Sequence, residues 1–128
     1  MGQAALARVL AEHDFWAYPC TFIETSCISA LEAVAAGLYP VTTTLGALPE
    51  TLAGWGTFVS ADGEMLVERW CDAVMVQARV RDADRVAWLH ANWTHRERVV
   101  RDWNWDRRAR EWIACLDRVA GRARNPGP

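Results

Sequence analysis

Phe15-Trp16-Ala17-Tyr18-Pro19-Cys20-Thr21-Phe22-Ile23-Glu24-Thr25-Ser26-Cys27-Ile28-Ser29-Ala30-Leu31-Glu32-Ala33-Val34-Ala35-Ala36-Gly37, followed by Leu38-Tyr39-Pro40-Val41-Thr42-Thr43-Thr44, decides the fold. Phe15–Tyr18 is a brief aromatic run halted by Pro19, the pattern of a buried strand that opens into a loop at its C-terminal end. Within 26–36, Ile28, Leu31, Val34 and Ala35 fall on one helical stripe, and Gly37 stands where a helix C-cap belongs. Residues 40–44 are β-branched and short, which reads as another strand. Strand, loop, helix and strand at this pitch predict right-handed βαβ units and a parallel sheet.

The flanks extend this reading. Ala4, Ala5 and Val9, with Leu6 and Leu10, predict a helix over 3–13. Downstream, a turn at Gly46 leads to a helical turn over 49–52, with Pro49 at its start, and then to a third strand over 56–59. After Asp62-Gly63 the chain reads as helical throughout. Three stripes mark it: Met65, Leu66, Trp70 and Val74; then Val86, Leu89 and Trp93; then Trp105, Ala109, Trp112, Ile113 and Leu116. The expected fold is α/β, a partial Rossmann-like three-layer parallel sheet with C-terminal helices. Residues 1–124 form a single partial domain, with the half-sheet ending near 62. Because a helix comes first, the N-terminal edge of that sheet is expected to be cut. Residues 125–128, Asn-Pro-Gly-Pro, predict a disordered tail.

Composition narrows the function classes. With 128 residues, 52% hydrophobic and 23% charged, the chain is one ordinary globular domain. Its net charge is −2, but unevenly spread: 5 Arg face 11 acids up to His95, and 9 Arg face 5 acids beyond it. All 14 basic residues are Arg, so Schiff-base and phosphate-loop lysine chemistry are excluded. Cys20, Cys27, Cys71 and Cys115 contain no C-x-x-C pair and read as free thiols. The sequence contains no secretory leader and no apolar run of membrane-spanning length, so a cytoplasmic location is expected, with the sequon Asn92-Trp93-Thr94 unmodified. His13, His90 and His95 lack ligand spacing, no acidic pair suggests a metal, and Ser26 and Ser29 lack the G-x-S-x-G elbow of a serine hydrolase.

Glu24 falls on a loop at the C-terminal end of a strand and just before a helix, where ligands bind in open α/β sheets. The helix start offers unpaired N–H groups and a positive dipole end, a seat for phosphate. Glu32 lies eight residues on, roughly 12 Å further along the helix. Two acceptors flanking an anion seat suit a nucleotide-sugar. The plainer readings stay open at this point: Glu24 as a favourable charge at a helix start, Glu32 as a solvated helix charge, and Cys27 as a small packing residue.

The pattern Glu-seven residues-Glu inside "ETSCISALEAVAAG", followed by "YPVTTTLGALPETL", resembles the C-terminal domain of retaining glycosyltransferases of the two-domain GT-B fold, group 1 type. The "WNWDRRAREWIACL" segment is similar to that family's Trp-containing closing helix. The resemblance runs from about Leu6 to Leu116 and is dense over 14–59. It implies that Glu24 meets the transferred sugar and acts in catalysis, and that Glu32 binds the ribose of the nucleotide. Backbone amides around Ser26, Cys27 and Ile28 would meet the sugar and diphosphate. Cys27 departs from the family pattern, which has Gly there in most members, and leaves the donor sugar open.

The same resemblance implies a nucleoside-diphosphate-sugar donor, no cofactor, no metal, and a hydroxyl acceptor on a sugar, lipid or protein. It also implies a separate N-terminal acceptor domain as partner, or self-association in its stead, and an isolated chain that does not transfer sugar. The alternative is a noncatalytic nucleotide-sugar-binding module or interaction subunit. The Arg-rich stretch from Arg96, with Trp103, Trp105 and Trp112 interleaved, supports nucleic-acid or peripheral membrane contact. Glu97, Asp102, Asp106, Glu111 and Asp117 interrupt that charge, so no nucleic-acid partner is expected.

Overall fold

The computed structural model describes residues 2–121, so the expectation for the tail at 125–128 lies outside the described residues. Within them the chain is α/β, with a three-stranded parallel sheet and six helices. The elements run α1 (Gln3–Ala11), β1 (Phe15–Tyr18), α2 (Ile28–Ala36), β2 (Tyr39–Thr43), α3 (Leu48–Thr51), β3 (Thr57–Val59), α4 (Leu66–Ala83), α5 (Arg85–Asp102) and α6 (Trp105–Val119). Strand order is β1-β2-β3, with Phe15 opposite Tyr39, Tyr18 opposite Thr42, and Val41 opposite Thr57. Pro40, which has no N–H to give a ladder, sits opposite Trp16 one step before the pairing with β3 begins.

Side chains alternate along a strand, so the sheet has two distinct faces. On one, Trp16, Tyr18 and Phe58 pack against a core of Cys20, Cys27, Ala30, Val34, Leu48, Leu52 and Val99, drawn from the loop after β1, α2, α3 and α5. On the other, the Arg81 guanidinium of α4 lies over the Phe15 ring at 5.4 Å, and Trp70 Nε1 donates to the Val41 carbonyl at 3.2 Å. Asp14, at the mouth of β1, accepts from Arg81 at 2.8 Å and from Arg85 at 3.3 Å, tying α4 and α5 to the strand. The left-handed Gly37 (φ 96°) closes α2 as its sequence position requires.

The C-terminal half departs from the expected stripes. It divides into three helices because Asp84 and Asn104 cap new ones, accepting from Ala87 N and Arg107 N, each at 2.9 Å. On α5, Val86 is 80% exposed and Leu89 and Trp93 also face outward; the buried face is Trp88, Asn92 and Val99. Both sets have helical spacing, and packing against α2 and the rings of Phe15 and Tyr39 selects the second. On α2 the stripe shifts likewise: Ile28 is 68% exposed, and Ala30, Ala33 and Val34 are buried. Small alanines on that face admit close approach of α5. The stripe on α6 exists, but α6 buries none of its residues and Trp105 is 88% exposed.

Candidate functional site

The exit from β1 is fastened by its neighbour. Thr42 and Thr43, both fully buried on β2, donate through Oγ1 to the carbonyls of Tyr18 (2.8 Å) and Cys20 (2.9 Å). Further along, Ala47 N donates to the Glu24 carbonyl at 2.8 Å. Gly46 (φ +58°) passes so close that a Cβ there would stand 2.6 Å from Glu24 N. β2 therefore fastens the start of this loop at Tyr18 and Cys20, and the turn after β2 holds the Glu24 backbone itself. Its side chain is oriented as well: Tyr18 Oη donates to Glu24 Oε1 at 3.0 Å. Burial, followed by that hydrogen bond and the proximity of Cys20, raises the Tyr18 phenol above its ordinary range, so it remains a protonated donor at neutral pH.

Cys27 is the N-cap residue of α2 but does not cap it: the side chain is 4% exposed, sits in the core, and brings Sγ to 3.3 Å from Ser29 Oγ. Ala30 N and Leu31 N return to the Cys27 carbonyl at 3.2 and 3.4 Å. The N–H groups of Ile28 and Ser29 come before the first intrahelical acceptor. What Cys27 can present to a ligand is backbone, with Ser26 exposed beside it.

Ser26, Ile28 and Glu32 line one groove of about 610 Å³, with Leu31 and Ala35 on the same wall. The opposite wall comes from the end of α5 and from α6: Val99, Trp103, Trp105, Arg108 and Trp112 among others. Glu24 and Cys27 do not line this groove. Thus the structure brings three of the five expected residues together and holds Glu24 apart on the loop, its Oε1 engaged with Tyr18. Glu32 also borders a second groove, of about 410 Å³, between α1 and α2, where Arg96 is the cation. In the larger groove the cation is Arg108, stacked 4.8 Å from the Trp103 ring, with Nη1 on Glu111 and Nη2 on the Asp102 carbonyl, each at 2.6 Å. Its Nε is buried and has no hydrogen-bond partner among the described residues.

Tyr18, Gly46 and Arg108 escaped the sequence reading. The Gly in "TTLGALPE" signalled a turn but not what the turn approaches, and Arg108 was one of nine arginines in a charged stretch. Arg101 and Arg107 are held by Asp102, and Arg107 and Arg108 by Glu111, the local pairing that the interleaved acids predict. All four cysteines are unbridged. Among the described residues, no group of three or more His, Cys, Asp or Glu is arranged to hold a metal ion, and no helix is long and apolar enough to cross a membrane. Comparison with protein-family models, curated proteins and solved structures returned no match.

Proposed function

We propose that this chain is a nucleotide-sugar-binding C-terminal part of a retaining glycosyltransferase, a Rossmann-like half of a GT-B enzyme that transfers a sugar from a nucleoside-diphosphate sugar to a hydroxyl acceptor. The observation that carries the reading is a carboxylate, Glu24, fastened at the C-terminal end of β1 directly before α2, with Glu32 two turns along that helix facing an open groove. In this reading Glu24 meets the transferred sugar, with Tyr18 setting the carboxylate's orientation. The free amides at the start of α2, with the positive end of the helix dipole, receive the departing diphosphate. Glu32 accepts from the ribose hydroxyls. The base and ribose lie against the aromatic wall of Trp103 and Trp105, and Arg108 supplies positive charge to the groove. No metal and no cofactor enters the scheme. Retention of anomeric configuration and an acceptor presented from another domain follow from the resemblance.

A panel of uridine, guanosine and adenosine diphosphate sugars, titrated calorimetrically, tests the proposal. At least one should bind. Glu32→Ala should weaken that binding about tenfold, the loss expected for hydrogen bonds to a charged group. In the full enzyme, Glu24→Ala should instead lower turnover more than donor affinity, because its partner is the reacting sugar. Absence of binding by every donor, or unchanged binding in folded Glu32→Ala protein, overturns the assignment. Donor binding without transfer when every partner domain is present favours the noncatalytic module.

A further inference from the structure

Alone among the described helices and strands, α6 packs extensively against no other element, although it carries an apolar stripe. That stripe, Trp105, Ala109, Trp112, Leu116 and Val119, recurs in steps of 4, 3, 4 and 3 residues. Such a spacing is the heptad seam by which one helix meets another. The seam is open to solvent: Trp105 is 88% exposed, Trp112 66% and Val119 81%, and Leu116 and the flanking Ile113 are exposed as well. At about 200 Å² for a fully exposed Trp side chain and about 100 Å² for an aliphatic one, the patch reaches about 500 Å². That is near the upper end of what a monomer leaves uncovered.

We propose that this seam pairs with the same seam of a second copy of the chain, α6 lying antiparallel to α6 across a two-fold axis. The order of the side chains selects the direction. In a parallel pair Trp105 and Trp112 would each face their own copies, and Ala109 would face Ala109 across a gap. Turned antiparallel about a midpoint between residues 110 and 111, the seam is self-complementary: Trp112 sits over the partner's Ala109, and Trp105 meets the partner's Leu116. Symmetry makes each contact twice. Large on small is the alternation that fills a helix interface. Charge argues against other occupants. Arg107 and Arg108 are engaged by Asp102 and Glu111, and Arg110 and Arg118 are matched in number by Asp106 and Asp117. So α6 lacks the surplus of cations that an anionic membrane or a nucleic acid requires. The area agrees with a dimer: two patches bury about 1,000 Å² of apolar surface, which in an interface about 65% apolar means about 1,500 Å² overall, the size of a stable specific complex.

Sedimentation equilibrium at micromolar to submillimolar concentration tests the pairing, and exchanging the large and small residues tests its direction. The unaltered chain should show a reversible monomer–dimer equilibrium. Ala109→Trp, which brings two large rings to one level, should weaken association about a hundredfold, and Trp112→Ala, which leaves a gap, about as much. In the double variant Ala109→Trp/Trp112→Ala the large and small partners are exchanged, and association should return to within about tenfold of the unaltered chain. Both substituted side chains are exposed, so circular dichroism and Tm at low concentration should stay unchanged. A monomer throughout the range overturns the proposal, as does association that neither single variant weakens. A double variant as weak as the single ones overturns the antiparallel pairing. Binding of a monomer to vesicles of phosphatidylcholine and phosphatidylserine overturns the second copy as occupant. Trp105 and Trp112 also line the groove that Glu32 faces, but every measurement is made without nucleotide, so the donor-binding proposal stands or falls on its own titration.

Discussion

Replacing Gly46 with Ala should loosen the Glu24 loop, and the cost can be worked from the structure. Gly46 has φ +58°, where an L side chain costs about 1–2 kcal/mol. The added Cβ would also stand 2.6 Å from Glu24 N, and backbone atoms at such a distance must move apart. That retreat breaks the Ala47 N to Glu24 carbonyl hydrogen bond, worth about 0.5–1.5 kcal/mol net. Together with residual strain the loss should reach about 2–4 kcal/mol, a fall in Tm of roughly 8–15 °C for a domain of this size. Gly63→Ala is the matched control. Its φ is +80°, but nothing lies within 4 Å of the added Cβ, so it bears only the conformational cost of about 1–2 kcal/mol. Urea denaturation of the two variants side by side isolates the contact. Equal destabilisation would refute the argument that Gly46 exists to let the Glu24 backbone approach.

Three further outcomes follow from the structure. The raised Tyr18 phenol binds its proton more tightly folded than unfolded, so its contribution is complete below pH about 10 and lost as pH rises above it; Tyr18→Phe should flatten that alkaline decline in a pH-resolved melt. The His95 imidazole, stacked on Trp55 at 3.7 Å, is held below its ordinary range by burial and then by Arg98, so the unfolded chain takes up the proton first and stability should fall as pH drops below about 6.5. His95→Phe keeps a ring on Trp55 and should reduce that acid-side slope. Trp105→Ser, at a side chain 88% exposed, should change stability by no more than about 0.5 kcal/mol while reducing any concentration-dependent association seen in sedimentation; a large drop in Tm would mean that α6 is packed, not free.

Local chemistry made the first half of the chain legible. Pro19 ends a strand that lies at Phe15–Tyr18, Gly37 caps a helix that ends at Ala36, and the β-branched run 40–44 becomes Tyr39–Thr43, because strand propensity, φ restriction and left-handed caps act within a few residues. The placement of Glu24 after a strand and before a helix followed from the same signals. Tertiary packing decided the rest. On α5 two apolar sets satisfy the helical period, and only the contact with α2, Phe15 and Tyr39 turned Trp88, Asn92 and Val99 inward and left Val86, Leu89 and Trp93 in solvent. The approach of Gly46 to Glu24 joins residues 22 positions apart in the chain, on two loops brought together by the parallel pairing of β1 with β2. On α6 the apolar stripe was visible in the sequence, yet its exposure was not, since periodicity records that a face is apolar and only the neighbouring elements determine what covers it.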